Sequence, residues 1–62
     1  MTVKYAVTFE FDTRPPETHR GQVEGSAAST CVSRATREAA KALCPKNWTS
    51  MNCVLLERIY AR

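Results

Sequence analysis

The stretch from Thr2 to Asp12, "TVKYAVTFEFD", constrains this chain more than any other. Val3, Tyr5, Val7, Phe9 and Phe11 alternate with Lys4, Ala6, Thr8, Glu10 and Asp12. Period two with aromatic and β-branched residues marks a strand with one buried side. Five large apolar side chains on one side demand a cover, and the chain has only 62 residues to supply it. That length makes a single domain, 1–62, which buries only about 60% of the surface its unfolded form exposes. The hydrophobic fraction is 44%, but eight of those residues are alanines that each bury little. So thin a core raises the expectation of a partner chain.

After the strand, "TRPPET" breaks the pattern, because tandem prolines cannot donate to a ladder and Arg14 is held extended by Pro15. The simplest continuation reverses the chain into a short second strand, "HRGQVEG", with Val23 inward and Gln22 and Glu24 outward. Gly21 and Gly25 weaken its pairing and mark a place for a bulge. Ser26 then offers an N-cap, and the run to Cys44 contains no Gly or Pro. Within it Ala28, Val32, Ala35, Ala39 and Leu43 define one helical face, widened by Cys31 and Ala42. Pro45 ends the helix. An alanine floor lets the helix lie close over the large residues of the first strand. Trp48, in the connector "KNWTS", is expected to plug the end of the core.

The last segment, "MNCVLLERIYAR", reads as a third strand that is apolar on both sides. Cys53, Leu55 and Ile59 fall on one, Val54, Leu56 and Tyr60 on the other. A hairpin makes the first two strands antiparallel, and a right-handed crossover through the helix carries the third to the far side of the first. The predicted fold is therefore α+β, β-β-α-β, a three-stranded antiparallel sheet of order 2-1-3 with one helix on one face. One helix leaves one face open, and Val54, Leu56 and Tyr60 are expected to form an apolar interaction surface there. A bulge that flips part of the strand is one alternative, and an unpaired edge that lengthens the sheet across a dimer is another.

Charge offers a second surface. The formal net charge is +3, and the stretch "SRATREAAKA" sets Arg34, Arg37 and Lys41 opposite the apolar helix face. With Lys46 they would form a basic stripe able to contact phosphate, while Glu10, Asp12 and Glu24 make the open sheet face more acidic. Glu38 lies within pairing distance of Arg34 and Lys41, as on many solvated helices. Two or three neutralised phosphates give only weak, salt-sensitive binding without sequence readout.

Chemistry has little to stand on. His19 is the sole imidazole, and no spacing ties it to Cys31, Cys44 or Cys53. These four are too far apart in sequence for the usual zinc patterns, and packing as reduced thiols is the expected role of the cysteines. No glycine-rich phosphate loop and no convergent acid–base set is present. The expectation is a protein that is not an enzyme, with no metal, cofactor or small-molecule substrate. No secretory or membrane-spanning signal is seen, so the chain reads as cytoplasmic.

Taken together, "YAVTFEFDTRPPETHRGQVEGSAAS", the basic helix and "VLLER" resemble small accessory proteins encoded by bacteriophages and prophages. The likeness spans nearly the whole chain and carries over no site residue. It implies action by binding, to nucleic acid or to a host component that is inhibited, and some anti-CRISPR proteins are strand–helix folds of similar size. The functional expectation is a protein-interaction module, a homodimer or an inhibitor of a host protein, working through the open sheet face. The alternative is a nucleic-acid-binding module using the basic helix face.

Overall fold

The computed structural model describes residues 1–59. β1 spans Thr2–Glu10, β2 Glu17–Glu24, α1 Ala28–Leu43 and β3 Ser50–Ile59. The sheet has the order β2-β1-β3, with β1 antiparallel to both neighbours and α1 packed on one face. This is the predicted β-β-α-β arrangement, with the aromatic-rich strand central.

The core follows from the alternation in β1. Val3, Tyr5, Val7 and Phe9 are buried beneath the helix, joined by Val23 of β2 and by Cys31, Ala35 and Ala39 of α1. Phe11, expected as the fifth residue of that row, lies beyond the strand end and is half-buried. Its ring instead receives the Arg14 guanidinium at 3.8 Å. Asp12 likewise falls in the bend after β1, outside the acidic strand face expected of it. β2 begins at Glu17, two residues before the expected start, directly after Pro16. Its pairing with β1 runs unbroken from Thr2↔Glu24 to Phe9↔Glu17, so neither glycine marks a bulge.

The helix begins one step later than Ser26 would place it. The N-cap position is Ala27, in extended geometry and without a side-chain cap. The preceding Gly25 is tied into the sheet by its N–H donating to the Met1 carbonyl at 2.9 Å. At the other end Cys44 adopts a left-handed conformation (φ 44°), its N–H donating to the Ala40 carbonyl, and Pro45 follows. The buried face is also rotated from the one expected. Cys31, Ala35 and Ala39 face the sheet, Leu43 is half-buried, and Ala28, Val32 and Ala42 are exposed. The cause is lateral: α1 lies chiefly over β2 and less over β1 and β3.

β3 contains a bulge. Pairing steps from Tyr5↔Leu55 to Lys4↔Glu57, leaving Leu56 as the extra residue. Beyond it Arg58 stands opposite Val3 and Ile59 opposite Thr2. Since directly opposed residues share a face, Ile59 moves from the side of Cys53 and Leu55 to the side of Thr2 and Lys4. That corrects its expected placement.

Candidate interaction surface

The open face is built by β1 residues Thr2, Lys4, Ala6, Thr8 and Glu10 and by their neighbours across the two ladders. Its margins are polar and self-satisfied. The Thr8 and Thr18 hydroxyls are hydrogen-bonded at 3.0 Å, Ser50 Oγ donates to Glu10 Oε2 at 2.9 Å, and Lys4 Nζ lies 3.7 Å from Glu57 Oε2. The exposed ion pair contributes little to stability. Within that frame Ala6 lies between Arg20 and Val54, while Leu56 sits beside Lys4, Arg20 and Gln22. Val54 is 43% exposed and Leu56 54%. Val54 and Leu56 thus form a small exposed apolar patch ringed by polar groups. Tyr60, the third residue expected there, lies outside the described residues.

The two outer edges of the sheet differ in a way that hydrophobic pattern alone does not reveal. β2 is approached through Pro15 and Pro16, carries Glu17, Arg20 and Glu24, and lies beneath the helix. Arg34 Nη1 reaches down to the Glu24 carbonyl at 2.7 Å. Prolines, charges and a covering helix are the usual means of protecting an edge strand. β3 lacks the first two over Ser50–Leu56, a run without charge or proline, and the helix covers it less than it covers β2. Only the bulge, and Glu57 and Arg58 after it, interrupt that edge.

The helix-facing side of β3 is incompletely covered as well. Cys53 and Leu55 are half-buried, while Met51 and, across from them on α1, Val32 are each 37% exposed. Burial pushes the Cys53 thiol above its ordinary pKa, opposed by the Thr36 hydroxyl beside it. Trp48 packs edge-on against Phe9, with ring centroids 5.6 Å apart, yet stays 46% exposed. It closes the core end only on one side. Met51 was not singled out by sequence reasoning, and Val32 was expected on the buried face of the helix. The signal that could have found Met51 was the uncharged run itself, read as an edge.

The basic residues are divided. Arg34, Arg37 and Lys41 line one groove between α1 and β2, together with Glu24 and Glu38. Three cations are therefore offset by two carboxylates. Lys46 lies elsewhere, in a cleft with Phe11, Thr13 and Arg14, and its carbonyl accepts a hydrogen bond from Arg14 Nη2 at 3.0 Å. Lys46, expected to continue the basic stripe of Arg34, Arg37 and Lys41, lines this separate cleft.

Among the described residues, no group of three His, Cys, Asp or Glu side chains is placed to hold a metal ion. His19 tilts against the Tyr5 ring at 5.9 Å, a packing position. Cys31 is fully buried, Cys44 exposed, and all three thiols are free. No helix of the described residues is long and apolar enough to cross a membrane. Comparison with protein-family models, curated proteins and solved structures finds no match to this chain.

Proposed function

We propose that this chain is a small interaction module of the bacteriophage accessory type, which works by binding another protein chain through β3 and the open sheet face. The carrying observation is the exposure of Val54 and Leu56, at 43% and 54%, on a face whose margins are polar. Covering such a patch is favourable by about 25 cal/mol per Å² of apolar surface removed from water. The rival surface is weaker. Arg34, Arg37 and Lys41 share their groove with two carboxylates, so few phosphate charges would be neutralised there and salt would screen the contact. The module is read as a binder and not as an enzyme, acting in the cytoplasm of the host cell, where free thiols persist.

The test compares the tagged chain with a Val54→Asp/Leu56→Asp variant as bait in host extract, with and without nuclease. A protein retained after nuclease and lost with the variant is the expected result. Capture that disappears with nuclease and with the triple change Arg34→Ala/Arg37→Ala/Lys41→Ala would overturn it in favour of nucleic-acid binding.

A further inference from the structure

Four of the six large apolar side chains exposed among the described residues adjoin the same element, in two groups. Val54 and Leu56 flank the β3 edge on the open face; Met51, Cys53, Leu55 and Val32 flank it on the helix side. A partner stacked on the open face would cover only the first group. A strand added to the β3 edge would cover both, because each added residue extends one face or the other. The edge has backbone to offer: β3 is the outer strand, and Ser50–Leu56 lacks the charges and prolines that protect β2.

Size argues in the same direction. A stable interface removes about 800 Å² from each partner, somewhat under a fifth of this chain's 4469 Å². Two exposed side chains inside a polar frame cannot supply that alone, whereas the uncharged edge run Ser50–Leu56, with apolar groups on both sides, draws on a larger surface.

We infer that a second copy of this chain pairs antiparallel with β3 along Met51–Leu55, about a two-fold axis at Cys53, joining two three-stranded sheets into one of six. This rests on the reading of β3 as the interaction element and adds the partner, the register and the mode. The partner follows from the segment's chemistry. An uncharged run gives a charged strand nothing to pair with, but it complements itself. With the axis at Cys53, Met51 lies opposite the second copy's Leu55 and Cys53 opposite its equivalent, both on the helix side. Asn52 lies opposite the second copy's Val54 on the open face. The register ends where it must, with Ser50 tied to Glu10 at one end and the bulge after Leu55 at the other. The two helices fall on the same side of the joined sheet and, because each leans toward its own β2, leave the seam free for Val32, Met51 and Leu55 of both copies.

Sedimentation equilibrium and cysteine cross-linking test this together. The 7.0 kDa chain is expected to sediment at twice its mass. In a Cys44→Ser variant, Cys53 is the only accessible thiol, since Cys31 is fully buried. Diamide should then convert most of the chain to a disulfide-linked dimer, two thiols being oxidised as the reagent is reduced. A second variant, Cys44→Ser/Cys53→Ser/Val54→Cys, reports face-to-face stacking and should give no such product. A dimer linked through position 54 and not through Cys53 overturns edge pairing while leaving the open-face reading intact. A strict monomer at near-millimolar concentration overturns self-association altogether, and the extract experiment then decides the interaction reading by itself.

Discussion

Gly21 sits directly opposite Tyr5 in the β1–β2 ladder, and the Tyr5 ring lies over it. A Cβ at this position would stand 2.9 Å from the Tyr5 hydroxyl and 3.1–3.2 Å from two ring carbons. The ring cannot easily retreat, because it is buried and also packs against His19. The glycine is therefore needed for close approach, the arrangement in which an aromatic residue covers a bare stretch of neighbouring strand. Gly21→Ala should cost about 1–3 kcal/mol, as other overpacking changes do. In a chain of this size that lowers the melting temperature by about 4–8 °C per kcal/mol. Unchanged thermal unfolding would contradict the placement of Tyr5. The same tyrosine has a raised pKa, first from burial and then from the nearby Glu38 and Cys53. Above pH 10 the unfolded chain ionises at this residue while the folded chain still holds the proton. Tyr5 therefore makes stability fall as pH rises through and beyond its ordinary value of 10.0. A Tyr5→Phe variant should lose part of that alkaline decline, read as melting temperature against pH on either side of 10. Parallel curves for the two proteins would assign the decline elsewhere.

At the scale of elements, α1 carries a correctable weakness. Its first turn has no acidic residue, and Ala27 occupies the N-cap without a side chain able to accept from the free N–H groups. The backbone there is already extended (φ −148°, ψ 165°), the geometry an N-cap requires. Ala27→Asp should stabilise the protein by about 1 kcal/mol, through the cap and through favourable charge at the helix start. Urea unfolding with an unchanged slope and a raised midpoint would show it; an unmoved midpoint would mean that the helix starts elsewhere. Ser26 drew the sequence reading because it is the nearest good capping residue, but Gly25 is pinned to Met1 and the turn needs one more residue. The roll of α1 was illegible for a related reason. Alanines at 28, 35, 39, 40 and 42 lie on several sides of the helix, so small residues could not say which side meets the sheet. The strands were easier. The alternation in β1 left one solution for the central strand, and the prolines at 15 and 16 marked the hairpin. A bulge in the third strand was readable only as an alternative, and its position at Leu56 was hidden because "CVLLERI" is apolar in both parities, so a one-residue slip changes no pattern. The surface around Val54 and Leu56 was legible from that same two-sidedness. Which part of β3 is unprotected was not, since that depends on where the helix lies.

At the scale of the molecule, eight buried residues form the core among the described residues, and three of them are Cys31, Ala35 and Ala39, with little apolar area to bury. A two-layer body measuring 44 × 16 × 15 Å exposes much of its surface, and one helix cannot cover a three-stranded sheet. A second copy on the β3 edge would add to the hydrophobic term without enlarging the chain, which small folds commonly achieve by oligomerisation. If folding and pairing are coupled in this way, stability depends on concentration by mass action. The size of the effect follows from general constants. A tenfold rise in concentration favours the dimer by about 1.4 kcal/mol, and two chains of 62 residues unfold with an entropy of about 0.26 kcal/mol/K. The melting temperature should therefore rise by about 5 °C for each tenfold increase in concentration. The Val54→Asp/Leu56→Asp variant places a carboxylate beside the pairing edge in each copy, and should melt lower with little dependence on concentration. Differential scanning calorimetry across two decades of concentration reads both outcomes directly. A flat dependence for the unmodified chain would mean that the exposed side of β3 is tolerated by a monomer, and that its apolar residues are kept for a different protein.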